Sequence, residues 1–180
     1  SVLMAAGTVV AAWRTASVLW DETTGRIAAM FVLTMSPMFF FGKTSNVDMG
    51  ALFWTAMGLM VFAEILRDTL TTRRAVFIGV CAAFAPATKD ANYSVFLVAG
   101  LILAATHLSR ARRDGVTRAE ALRPLAIGLV TAVACYVTAS GLVFRPSRFM
   151  AHLQWSTDSG LDVPIRFPDT LVGYVGLGGR

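Results

Sequence analysis

The sequence predicts an all-α fold, a polytopic transmembrane helical bundle of about six spans. Three observations carry that expectation. The first is composition: of 180 residues, 56% are hydrophobic and only 15% are charged, where a soluble domain carries roughly a quarter. The second is that several windows of about 18 residues hold almost no charge, which is the length of a membrane crossing. The third is that the basic residues of this +5 chain gather in short segments between apolar runs, at 67–74 and 109–123. Cytoplasmic loops of membrane proteins have that character. Nucleic-acid binding is not expected, because no contiguous basic face with base-reading or stacking groups is present. Cys81 and Cys135 both lie in apolar runs and read as small hydrophobes.

The elements follow in order. Residues 1–19 form the first span, with Arg14 snorkelling and Trp20 suited to the interfacial belt. Residues 21–26 read as a short polar turn. The next 40 residues, 27–66, would make a helix of about 60 Å, twice the hydrocarbon thickness. Ser36-Pro37 and the polar run Lys43-Thr44-Ser45-Asn46-Val47-Asp48 divide them into spans at 27–41 and 47–66.

The segment 75–108 poses the same problem, since 34 residues would make about 51 Å of helix. Both its flanks are arginine-rich, so both belong on the cytoplasmic side and the crossings between them must be even in number. Pro86 and Lys89-Asp90-Ala91-Asn92 mark the turn. Each arm is then close to the minimum of about 17 residues. In the loop 109–123, residues 117–122 suggest a brief interfacial helix. Pro124 opens a final span that runs to about 144. Residues 1–144 are thus the transmembrane region. Residues 145–180 read as an extracytoplasmic loop leading into a truncated next span. With no start methionine or signal peptide, the chain is expected to be a central fragment of a longer protein.

This topology brings two polar tips to one face. One carries Lys43, Ser45, Asn46 and Asp48, the other Thr88, Lys89, Asp90, Asn92 and Tyr93. The tail adds Arg145, Arg148, His152 and Asp158. Cations of this kind hold phosphate oxygens, while carboxylates and amides bind sugar hydroxyls or a divalent cation. Each residue also has a plainer reading. Asn46 or Asp48 would cap the following helix. Lys43 would anchor at the interface, Lys89 would snorkel and pair with Asp90, and His152 would be an ordinary loop histidine. Trp54 is first a lipid- or core-facing anchor, and Glu64 with Arg67 a structural pair on one helix turn.

Ala82-Ala83-Phe84-Ala85-Pro86-Ala87-Thr88-Lys89-Asp90 before an apolar helix resembles the G-L-A-x-x-T-K segment of GT-C glycosyltransferases. These are the membrane enzymes similar to protein O-mannosyltransferases and aminoarabinose transferases. Ser36-Pro37 with a polar tip ending at Asp48 is similar to the family's S-P … D-x-x-x-x-x-F stretch. Phe149-Met150-Ala151-His152-Leu153 and Phe167-Pro168-Asp169-Thr170 resemble its outer loop.

The resemblance implies transfer of a sugar from a polyprenyl-phosphate-linked donor to a protein, lipid or glycan acceptor at the extracytoplasmic face. A bacterial inner membrane, with the active face outward, is the implied setting. The implied substrate-binding residues are Lys89 on the donor phosphate, Asp90, Asp48, Asn46, Lys43 and His152, with Asp48 binding polar groups of acceptor or donor, or helping to hold a divalent cation if the enzyme uses one. The family's catalytic aspartate follows its first span, and no residue here matches it. Pro86 stands where relatives often have a small residue. A transporter or lipid-linked-sugar flippase segment is the alternative, since broken helices with polar tips occur there too.

Overall fold

A computed structural model describes residues 1–36, 38, 47–89, 92–144, 146–147 and 150. The chain divides into two compact units, Ser1–Ser140 and Gly141–Arg180. Among the described residues the first unit holds six helices and no strand: α1 (Val2–Leu19), α2 (Glu22–Thr34), α3 (Val47–Arg67), α4 (Thr72–Thr88), α5 (Tyr93–Arg113) and α6 (Arg118–Ala139). Four of them, α1, α3, α5 and α6, are long and apolar enough to cross a membrane, as an integral membrane protein requires. Helix α2, with 13 residues, measures about 20 Å, and α4, with 17, about 26 Å.

Helix α3 is the hub: 39% of its apolar window is buried, against 11–17% in α1, α5 and α6. Small residues let its neighbours close in. A Cβ on Gly58 would stand 2.6 Å from Phe96 of α5 and 3.2 Å from Cys81 of α4. Helices α4 and α6 meet in the same way, a Cβ on Gly79 falling 2.5 Å from the Gly128 carbonyl oxygen. Such close approach supplies the van der Waals packing that drives helix association where no hydrophobic force acts. Val61, Ile65, Leu70, Ala75 and Leu103 form the buried cluster, with Met60, Phe62, Ile78 and Leu125 against it.

The contacts also set helix directions. Arg14 reaches Glu64 and Gly7 lies against Phe53, so α1 and α3 run parallel. Helix α4 returns beside α3, with Thr88 against Gly50 and Arg74 at Glu64. Helix α5 goes back again, from Phe96 at Gly58 to Arg110 on the Ile65 carbonyl. The unit therefore has two distinct ends. One gathers the α1–α2, α3–α4 and α5–α6 connections. The other gathers Val47, the Thr88–Tyr93 turn and the end of α6.

Several element boundaries differ from the sequence expectation. Residues 22–26 are not a turn but the start of α2: the Asp21 carboxylate accepts the Thr24 amide at 2.8 Å and caps the helix. Helix α2 ends at Thr34 rather than 41, because its C-cap Met35 is extended (φ −62°, ψ 125°). A helix continued through Pro37 would drive the proline ring into the Leu33 carbonyl. Residues 117–122 are not a separate interfacial helix. Thr117 and Glu120 form a reciprocal capping box that starts α6 six residues before Pro124. Helix α6 stops at Ala139, and Gly141 beyond it adopts a positive φ of 76°, which a residue with a side chain rarely takes. Helix α5 ends in a Schellman motif. Gly115 there has φ 69°, and the Val116 amide reaches back to the Ala111 carbonyl at 2.9 Å.

Candidate functional site

Two of the sequence-derived site residues meet at the end of the bundle away from the arginine-rich connections. Asp48 lies in the first turn of α3 and Lys89 is the C-cap of α4. The Lys89 ammonium donates to Asp48 Oδ1 at 2.5 Å across 41 residues of sequence. Each charge sits at the helix end that favours it, the carboxylate at an N-terminus and the cation at a C-terminus. Beside this pair the two helices are in ordinary packing contact, a Cβ on Gly50 standing 3.5 Å from Thr88 Cγ2.

The turn that presents Lys89 is tied down locally. Pro86 lies inside α4 and is buried, and lacks the amide that would bond to the Ala82 carbonyl. Downstream the carbonyls are well used. Thr88 Oγ1 donates to Phe84 and Ala85 oxygens at 3.0 and 2.7 Å. The Lys89 amide also donates to Ala85, at 3.0 Å. Asn92 closes the turn, its amide on Lys89 O at 3.1 Å and its side chain on Ala85 O at 3.3 Å. Lys89 therefore leaves a fixed base with its side chain 54% exposed, while that of Asp48 is 33% exposed. An ammonium offers three donors, and one of them serves Asp48.

Aromatic residues flank this end. Trp54 stacks on Phe84 at 4.9 Å, so it is a packing residue between α3 and α4. Tyr93 and Tyr136 meet edge to face with centroids 5.9 Å apart, and their hydroxyls are hydrogen-bonded to each other. Tyr136 has no place in the sequence reading. Its pairing with Tyr93 follows only once α6 is known to end where α5 begins.

Asp90, Asn46, Lys43 and His152 lie outside the described residues, as do Arg145, Arg148 and Asp158. The expected partnership of Lys89 with Asp90 therefore falls outside the described residues, and the observed partner of Lys89 is Asp48. Among the described residues no group of three or more His, Cys, Asp or Glu could hold a metal ion.

The opposite end carries a second ionic cluster that sequence reasoning did not assemble. Glu64 does not pair with Arg67. It takes Arg14 at 3.3 Å and Arg74 at 3.8 Å, and Arg74 also holds Asp68 at 2.7 Å. Arg67 turns instead to the Leu19 carbonyl at 2.5 Å. Arg110 donates to the carbonyls of Ile65, Leu66 and Asp68, capping the C-terminus of α3 with a cation. The Arg74 guanidinium, followed by the Thr69 amide, holds the Asp68 carboxyl below its ordinary value of 3.8.

No family model, curated protein or solved structure matches this chain.

Proposed function

We propose that this protein is a membrane glycosyltransferase of the GT-C type, which moves a sugar from a polyprenyl-phosphate donor to an acceptor at the extracytoplasmic face. The observation that carries the reading is the Lys89–Asp48 contact at the end away from the arginine-rich connections. In this reading α2 and α4 cross as well, making six crossings, with the arginine-rich end in the cytoplasm of a bacterial inner membrane. Short helices are tolerated where a tip borders a water-filled cavity. The apolar residues Met30, Phe31 and Leu33 of α2 are exposed, as lipid contact requires.

The chemistry asked of these residues is limited. The bond from the sugar anomeric carbon to the donor phosphate breaks as a bond to the acceptor oxygen forms, with inversion. The acceptor proton goes to a base, and the polyprenyl phosphate leaves. The ammonium of Lys89 binds the donor phosphate and stabilises its developing negative charge. Asp48 keeps that ammonium at the membrane face and offers oxygens to sugar hydroxyls or a divalent cation. Asp90, Asn46, Lys43 and His152 complete the proposed binding set. No residue of this sequence is given the role of base.

Lys89→Ala in the whole protein should lower turnover of a purified polyprenyl-phosphate sugar by at least about 100-fold, with membrane insertion and helix content unchanged. Lys89→Arg should retain part of the activity. Unchanged turnover in Lys89→Ala would remove Lys89 from the reaction.

A further inference from the structure

A carboxylate stands on the very nitrogen that the proposed function assigns to the donor phosphate. The Lys89 ammonium donates to Asp48 Oδ1 at 2.5 Å. Side-chain exposures of 54% and 33% leave both groups within reach of water. The contact is therefore of the weak, solvent-screened kind, and a second anion can share the ammonium with Asp48. Both side chains leave fixed backbone. Asp48 belongs to the first turn of α3, where the helix dipole favours a carboxylate. Lys89 leaves a turn closed by the Asn92 amide on its own carbonyl at 3.1 Å.

A phosphate oxygen on another donor of the same tetrahedral nitrogen would stand about 4 Å from the Asp48 carboxylate. At that separation each negative charge on the phosphate lowers affinity about fivefold, even with the dielectric of bulk water. The two lipid phosphates of the transfer reaction differ in charge. The sugar-bearing donor is a phosphodiester with one negative charge. The polyprenyl phosphate that leaves is a monoester, with nearly two at neutral pH. The donor also brings sugar hydroxyls that can donate to a carboxylate, and the spent carrier has lost them.

We infer that Asp48 sorts these two lipids, as a counter-ion on Lys89 that admits the sugar-bearing phosphodiester and expels the polyprenyl phosphate monoester. The inference rests on the proposed transfer reaction, since Lys89 must first be the phosphate contact. It goes further in assigning product release to a named residue. An ammonium alone would hold the more highly charged product tighter than the donor, and each cycle would stall on it.

The test measures equilibrium binding of two lipids to the whole protein in nanodiscs of neutral phospholipid, with a chelator present. The lipids are polyprenyl phosphate and its monomethyl ester. The ester has the single charge of the donor without a sugar, so the comparison isolates charge. Asp48→Asn, which keeps the shape of the side chain, should bind polyprenyl phosphate about fifteenfold tighter than the wild type, and the methyl ester only about fivefold tighter. Lys89→Ala should weaken both. Unchanged or weaker binding of polyprenyl phosphate by Asp48→Asn would overturn the inference. Equal gains for the two lipids would overturn it too, because they would report altered packing instead of charge. If either result came with the expected loss in Lys89→Ala, the Lys89 contact of the proposed function would survive without the sorting role of Asp48. If Lys89→Ala weakened neither lipid, the proposed function would lose its phosphate contact, and the inference would fall with it.

Discussion

Two of the ion pairs join side chains near helix ends, yet they do different work. Lys89 and Asp48 are each favoured by their own helix terminus, and half exposure limits what their contact adds to stability to about 1 kcal/mol or less. Under the proposed function, their contact serves to hold a cation at one membrane face. Asp68 is the structural counterpart. Arg74 donates to it at 2.7 Å and depresses its carboxyl below the ordinary 3.8. A depressed carboxyl stabilises the fold above the unfolded value and loses that contribution as pH falls through the folded one. Thermal unfolding in micelles should therefore drop in midpoint as pH falls below about 4, and Asp68→Asn should flatten that drop while lowering the midpoint at neutral pH. Identical acid profiles for the two proteins would exclude the Arg74–Asp68 contact as a contributor. Lys89 was legible in the sequence because a charge in a long apolar run between arginine clusters has to find a turn. Its contact with Asp48 was not, because the two lie 41 residues apart and meet only where the antiparallel α3 and α4 pack side by side.

Helix ends explain which elements were legible and which were not. The 34-residue apolar run at 75–108 exceeds the bilayer and has arginines on both flanks, so length and flanking charge together divided it, and the observed break falls between Thr88 and Tyr93. Capping signals were read less well. Asp21 and Thr117 each start a helix through a side-chain bond to an amide three residues on, although both segments looked too polar to belong to a span. A cap satisfies donors that lipid headgroups and water would otherwise have to meet. Thr117→Ala should thus cost about 1 kcal/mol in the denaturant unfolding of the whole protein, and Thr117→Ser should cost little. An unaffected Thr117→Ala would mean that the start of α6 is held by packing alone. The capping of α3 by Arg110 had no sequence signal at all, since its partners lie more than 40 residues away and only the fold brings them together.

At the scale of the whole molecule, the two ends of the bundle are chemically unlike. The connections at one end carry Arg67, Arg73, Arg74, Arg110, Arg112, Arg113, Arg118 and Arg123, which resist translocation and should remain cytoplasmic. The contacts between helices then determine the sidedness of everything else, because α1 with α3 and α4 with α6 run parallel. The exposed residues Trp20, Thr69 and Asp114 belong to that end, and Val47 at the start of α3 belongs to the other. Helix α2 is the decisive element. Its 13 residues fall short of the roughly 30 Å hydrocarbon core, yet Met35 just beyond it is 55% exposed on the strand of chain leading away from the arginines. With Cys81 and Cys135 replaced by alanine, single cysteines introduced at Trp20, Thr69 and Asp114 should react with a membrane-impermeant maleimide only in inverted vesicles. Cysteines at Val47 and Met35 should react only in right-side-out vesicles. Labelling of Met35→Cys from the same side as Trp20→Cys would mean that α2 does not cross, and the proposed six crossings would fail even if the Lys89–Asp48 face survived. Labelling of Val47→Cys from the arginine-rich side would break the two-ended arrangement on which the proposed function stands.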